Sequence, residues 1–384
     1  MNMRCLLPVI CCVLAAGGSA SAAGPDRVER LLEELTNAYG PSGFEEPIRA
    51  IMRRELAPFA DRLETDGLGS LIAELRGSGG PRVMLAAHMD ELGLLVKYIS
   101  QDGFVYFEPL GGWLDQALIN QRFVILTRKG AVTGVTGLKT PHVMSPEERR
   151  ATPEREHIFL DVGASGRQDA EERLGIRPGD PIAPDSKFVE LSGGKLYLAK
   201  AWDDRVGLGV MIEVLRRLKD NRPPNVLYVV STVQEEVGMR GAVTASNQVK
   251  PDIAINLEVG VSSDYPGTSL YEAQEKLNGG PGIFLRDTSM LPNLKLRDYV
   301  VEIARAKGIQ VQFEVLRDYY NEDGSEMQRA WSGAPAINIT VPARYLHNHN
   351  EVISRDDFDR TVDLVTELVR HLDAETVRRL RSFE

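Results

Sequence analysis

Side chains able to bind a divalent cation recur along this chain at the ends of apolar runs. VMLAAHMDELG carries His88 and Asp90, AKAWDDRVGLGVMIEVL carries Asp203 and Asp204, and NVLYVVSTVQEEVGMRGA carries Glu235 and Glu236. Glu258 follows in DIAINLEVG and His347 in ARYLHNHNE. Each cluster alone has a plain explanation. An Asp pair just ahead of a helical apolar repeat (Val206, Val210, Met211, Val214, Leu215) suits a helix cap and the positive end of its dipole. A lone His is more often a hydrogen-bonded polar residue than a ligand, and paired glutamates are common on solvated helix faces. Together they say more, because α/β proteins build their sites outside the carboxyl ends of their strands. Five groups of imidazole and carboxylate there predict a metal centre.

The chemistry follows from the residue types. In H-x-D the His can coordinate while the Asp orients its other ring nitrogen. Two adjacent carboxylates in one cleft can divide the labour, one binding metal and the other taking a proton from water. A bridging Asp, with one carboxylate and one His on each side, makes a paired-ion site with ions roughly 3.5–4 Å apart. Mixed nitrogen and oxygen donors suit Zn²⁺ or Co²⁺ better than Ca²⁺.

The elements that must position these groups read as α/β. With 384 residues, 43% hydrophobic and 26% charged, the chain is long enough for two domains. A net charge of −10 and no Lys/Arg-rich block make nucleic acid and anionic membranes poor partners. Residues 1–23 read as a cleavable export signal: Arg4, the apolar LLPVICCVLAA, then small residues at Ala20–Ser21–Ala22. All three cysteines lie inside that segment, so a mature chain starting near Gly24 has no disulfides. The expected location is secreted or periplasmic. Residues 24–95 form a first part of the catalytic domain, beginning with helices through Val28, Leu31, Leu32 and Leu35 and through EEPIRAIMRRELAPF. From 96 to 196 short β-like runs (FVYFEPL, RFVILTR, AVTGVTGL) predict an inserted small β domain. Residues 197–384 resume the α/β pattern, and Phe358, Val362, Val365 and Leu368 give the last helix a packing face.

The order AHMDELG, AWDDRVG, QEEVGMRGA, a carboxylate after PDIAI, and RYLH resembles the family-42 metallo-aminopeptidases. These are the glutamyl, deblocking and tetrahedral-type enzymes, some labelled endoglucanase-M-like. The resemblance runs from YGPSGFEE to about Asp357 and includes GLKTPHVM and GGPGI. It implies a mixed-sheet zinc-peptidase (phosphorylase/hydrolase-like) fold with a PDZ-like or barrel-like insert. It also implies two divalent ions per chain, zinc or cobalt. His88 and Glu258 would hold one, Glu236 and His347 the other, and Asp203 would bridge them. Glu235 would be the general base, with Asp90 behind His88. A cis Asp203–Asp204 peptide would turn the bridging carboxylate toward both ions. A dimer-based homo-oligomer, up to a dodecamer, would form partly through the insert.

Several residues depart from the family pattern. Glu258 stands where Asp is usual, Gly324–Ser325–Glu326–Met327 replaces a segment expected near the substrate, and Asn348 and His349 follow His347. His349 is expected on the surface, with competition for a ligand position as the alternative, and His157 and His371 are expected on the surface. His142 is assigned to structure or assembly, the three tryptophans to core or pocket wall, and Tyr345 to packing or the pocket. The expected function is an aminopeptidase acting on peptides through metal-activated water. The alternatives are a di-metal amidase or deacylase on N-acyl amino acids, and an inactive scaffold.

Overall fold

The computed structural model describes residues 24–191, 193–317 and 320–384. The export segment expected at 1–23 lies outside the described residues. Among these, no helix is long and apolar enough to cross a membrane.

Four apolar runs become the strands Arg82–His88, Val226–Thr232, Ile253–Val261 and Ala336–Arg344. They pair in parallel, with 82–88 between 226–232 and 253–261, and 336–344 beyond. Being covered on both faces, they need apolar residues at nearly every position. Successive side chains alternate between the faces. Val83, Leu85 and Ala87 join the larger core with the helices Arg27–Asn37, Glu46–Leu56, Trp202–Leu218, Leu294–Lys307 and Arg355–His371. Phe358, Val362, Val365 and Leu368 are buried there, as their spacing predicts. Met84 and Ala86 face a smaller core closed by Ala245, Val249 and Met327 of the helices Arg240–Val249 and Asp323–Arg329.

Antiparallel neighbours make the sheet mixed. Leu71–Arg76 lies beside Val226–Thr232, and Glu351–Ser354 and Leu196–Ala199 continue the far side, in a sheet of 11 strands among the described residues.

The insertion is a closed barrel with its own apolar centre, including Leu94, Val105, Phe123, Ile125, Leu160 and Ile182. Its strands run from Gly93–Ile99 to Pro181–Pro184, so it begins and ends earlier than the expected 96–196. Val189–Glu190, expected within the insertion, instead pairs with Leu196–Ala199, which pairs with Glu351–Ser354 in the large sheet. A short β-like run has the same composition whichever sheet it joins.

Candidate metal centre

The carboxyl ends of the four parallel strands meet at one edge of the sheet. His88 ends its strand, and Glu258 lies near the end of the next. Asn256 pairs with Ala86 in register, so two residues on, with the same alternation, Glu258 stands beside His88. His347 comes just after Arg344, at a left-handed backbone position (φ 58°).

Glu235 and Glu236 reach the same place from a turn. The strand Val226–Thr232 stops short of them, and Gln234, Gly238 and Met239 all take positive φ. Asp90 pins that turn: its carboxylate accepts from the backbone N–H of Glu235 at 3.0 Å and of Glu236 at 3.2 Å. The Ser42 hydroxyl donates to it at 2.6 Å, and the His88 Nδ1 lies 3.0 Å from the Asp90 carbonyl oxygen.

The Asp pair divides its roles. Asp203 and Asp204 are not helical (φ/ψ −77°/105° and −115°/45°), and the peptide bond between them is cis. Asp204 makes the capping bond, its Oδ1 accepting from Gly207 N–H at 3.0 Å. Asp203 points instead into the site, where its Oδ1 lies 2.9 Å from His88 Nε2 and its Oδ2 3.4 Å from His347 Nε2. Glu258 Oε1 is 3.8 Å from His88 Nε2, and Glu236 Oε2 is 3.9 Å from His347 Nε2. Two sets result, His88–Asp203–Glu258 and Asp203–Glu236–His347, each with its ligand atoms within 4.8 Å of one another. Asp203 is common to both.

The electrostatics of this cluster call for added positive charge. Burial, with the charge of Asp203 adding to it, pushes the carboxyls of Glu236 and Glu258 up to about 8. Burial likewise raises Glu235, partly offset by His88. For His347 burial acts downward, but Glu236 and Asp203 outweigh it and lift the imidazole to about 10. Burial also opposes the charge on Asp203, yet hydrogen bonds with His347 and His88 hold it well below the usual carboxylate range. Glu236 Oε1 and Glu258 Oε2 are buried and lack a hydrogen-bond partner among the described residues. Crowded carboxylates, converging imidazole nitrogens and orphaned oxygens fit a pair of divalent cations. Another set, Glu154–Glu156–His157, is exposed on the barrel side, consistent with the surface position expected for His157.

Other expectations are corrected. His349 is 4% exposed, edge-on to Phe123 at 4.5 Å between ring centroids, and burial lowers its pKa to about 4. Trp331 is 68% exposed, under the Lys250 ammonium, rather than core or pocket wall, whereas Trp113 and Trp202 are buried. The residues Gly324–Met327 do not line the cavity; Gly324, Ser325 and Met327 are buried in the helix behind it, and Tyr320, Asn321 and Glu322 form the wall.

Several participants had escaped notice. Glu351 accepts from Asp203 N–H at 3.1 Å, and the Gly112 carbonyl, from the barrel, lies 3.1 Å from His347 Nδ1. Glu322 lies in YYNEDGS, with no apolar run before it to mark a strand end. Two adjacent glycines, 111 and 112, were the available hint for the barrel contact. A Cβ on Gly112 would come within 3.1 Å of the His347 ring.

Residues 69–364 match the family described as M42 glutamyl aminopeptidase. The chain is 34% identical over 346 residues to the lysyl aminopeptidase of Pyrococcus furiosus, covering 89% of this chain and 96% of that protein. It superposes on the TET aminopeptidase of the marine-sediment archaeon Thaumarchaeota archaeon SCGC AB-539-E09 with TM-score 0.89 and 39% identity, over 92% of this chain and 100% of the other. The TET1 peptidase of Pyrococcus horikoshii, described as assembling into a tetrahedron or a large octahedral shell, gives TM-score 0.82 and 31% identity over 90% and 100%. The matched span holds every residue of both ligand sets, and the fold agrees from end to end of these relatives: the chain belongs to the M42 glutamyl aminopeptidase family.

Proposed function

We propose that this protein is a dinuclear metal-dependent aminopeptidase that removes N-terminal residues from peptides. The observation that carries this reading is the pair of ligand sets sharing Asp203. His88 and Glu258 would hold one ion and Glu236 and His347 the other, with Asp203 between them. Zn²⁺ or Co²⁺ suits these donors. When bound, the ions supply Lewis-acid polarisation of the scissile carbonyl and acidify a water.

The remaining work falls to the chain. Glu235 lines the same cavity but belongs to neither ligand set. Its carboxylate takes the proton of the attacking water and hands it to the departing amine. Asp90 fixes the turn that presents Glu235 and Glu236 and supports His88 from behind. Glu351, bonded to the backbone of Asp203, and the Gly112 carbonyl, beside His347, steady the other two.

The test is to strip the mature protein with a chelator, reload zinc or cobalt, and assay aminoacyl anilides beside their N-acetylated counterparts. Cleavage confined to free amines, lost on chelation and restored by metal, is expected. Preference for the acetylated set would favour the amidase or deacylase, and inertness with full metal the scaffold.

Two further expectations remain proposals. The assembly of the Pyrococcus horikoshii relative into a tetrahedron or a large octahedral shell supports a homo-oligomer, and the family resemblance adds dimers as its building blocks. The N-terminal pattern supports export, with cleavage between Ala20 and Gly24. N-terminal sequencing of the exported protein checks the cleavage; an intact 1–23 segment on soluble cytosolic protein would refute it.

A further inference from the structure

The turn that carries Glu235 and Glu236 is held from outside by two carboxyl groups, and one of them has no assigned part. The carbonyls of the turn are met from within: Glu235 accepts from Gly238 and Met239 N–H, both at 2.8 Å, and Gln234 from Arg240 N–H at 3.2 Å. Its leading amides need acceptors from elsewhere. Those of Glu235 and Glu236 donate to Asp90, one to each oxygen. That of Gln234 donates to Glu45 Oε1 at 3.2 Å, across 189 positions of sequence.

Glu45 directly precedes the helix Glu46–Leu56, where a carboxylate could act as a cap, yet its side chain makes no capping bond. It is 2% exposed, and its Oε1 also accepts from Gly43 N–H at 2.6 Å. The Arg49 guanidinium stands 4.0 Å away and is committed through Nε to the Gly69 carbonyl at 2.6 Å. Burial, with the charge of Asp90 adding to it, opposes ionisation of Glu45, and the two amides act the other way. An Oε1 acceptor serves them in either charge state. The loop that carries Glu45 is fastened just beyond the strand end of His88. Gly40 N–H donates to the Glu91 carboxylate at 2.8 Å, Glu91 N–H to the Gly40 carbonyl at 3.1 Å, and Ser42 to Asp90. At the other end of the contact, Gln234 has φ 55°, a left-handed conformation that a residue with a Cβ keeps where its surroundings impose it. Releasing its amide frees the peptide unit just ahead of Glu235, whereas Asp90 still grips Glu236.

We infer that Glu45 is a positioning residue for Glu235: by fixing the Gln234 amide it sets where the carboxylate of the base stands, while Asp90 suffices for the ligand Glu236. Resting on the aminopeptidase reading above, this gives the N-terminal loop a part in the chemistry, although none of residues 40–45 lines the cavity.

The experiment uses the metal-loaded mature protein with Glu45→Ala, which removes the acceptor, and Glu45→Gln, which keeps an Oε1 acceptor and removes the charge. Turnover of leucyl, lysyl and glutamyl p-nitroanilides is measured, metal content is read by atomic spectroscopy, and amide hydrogen exchange is followed by mass spectrometry. Glu45→Ala is expected to keep two ions and an unchanged KM while kcat falls on the order of tenfold to a hundredfold, the scale of a displaced general base. Its amide exchange should quicken only across residues 234–238. Glu45→Gln should recover most of both effects. An equal loss in Glu45→Gln would overturn the inference by making the charge or a proton of Glu45 the active feature. Loss of an ion from Glu45→Ala would overturn it by placing the effect on Glu236. Unchanged kcat, or faster exchange throughout the large sheet, would do the same, the latter by making Glu45 a general stabiliser. If the unmodified protein cleaves none of the anilides with both ions bound, the aminopeptidase reading falls. Exchange then decides for the clamp by itself: quickening confined to the turn in Glu45→Ala and reversed in Glu45→Gln upholds it, and an unaltered turn overturns it.

Discussion

Asp90 is the residue on which the different positions of Glu235 and Glu236 depend. On an extended strand, neighbours would point to opposite faces. Here both follow the strand, and their successive amides turn toward the two oxygens of one carboxylate, at 3.0 and 3.2 Å. Both side chains consequently line the cavity, and only Glu236 comes within reach of His347 and Asp203. Glu235→Gln should therefore lower turnover by about 10²–10⁴-fold, the usual worth of a general base, while keeping two ions per chain. Glu236→Gln should lose metal. Turnover measured beside metal content separates the roles, and the opposite pattern of metal loss would reverse them. Full activity in both variants would mean that the chemistry happens elsewhere.

At the scale of elements, the helix Trp202–Leu218 is started by a side-chain cap, and the cap needs a glycine. A Cβ on Gly207 would sit 2.5 Å from both Asp204 carboxylate oxygens, of which Oδ1 accepts the Gly207 N–H. Gly207→Ala is expected to destabilise by about 1–3 kcal/mol, through a lost cap and a less well satisfied buried carboxylate. A urea midpoint equal to that of the parent would show that the cap is dispensable. The strand Gln312–Val315 carries a different kind of acid. Burial pushes Glu314 up to about 7 from an ordinary 4.5, although the amides of Gln274 and Glu275 donate to it. Below pH 4.5 both folded and unfolded chains hold this proton, and its contribution to stability is fully present. As pH rises toward 7 the unfolded chain releases the proton while the folded chain retains it, so the contribution is lost. Glu314→Gln should gain on the parent by on the order of 2 kcal/mol between acidic and neutral conditions. Urea unfolding at both ends of that range checks it; parallel declines would exclude Glu314 as the source.

For the whole molecule, the barrel is part of the site as well as a neighbour of the sheet. Its Gly112 carbonyl lies beside His347, and Trp113, anchored through Nε1 to the Gly93 carbonyl at 3.0 Å, packs against His349. Self-association through the barrel would thus act on a body that also touches a proposed metal ligand. Light scattering on the mature protein is expected to give a mass several times that of one chain. Replacing the barrel with a short linker should lower both the mass and the metal occupancy of the His347 set. An unchanged mass would place the assembly contacts on the sheet domain.

Local pattern alone determined much of this protein. Apolar runs, their turn residues and the polar groups at their ends marked the strands, the packing face of Arg355–His371 and the positions of His88, Glu235, Glu236, Glu258 and His347. These features are written within a few consecutive residues, where periodicity and punctuation act. The partition of ligands between two ions and the cis peptide at Asp203 came from family resemblance, since neither spacing nor composition distinguishes one Asp of the pair from the other. Tertiary structure decided what depends on distant segments meeting. It put Val189–Glu190 in the large sheet, drew His349 inward against Phe123, and brought Gly112 from the barrel to His347. It also turned Glu322 from one acidic residue in a polar stretch into a buried carboxyl at a cavity wall. Burial and counter-charge are properties of the folded surroundings, and no stretch of chain carries them by itself.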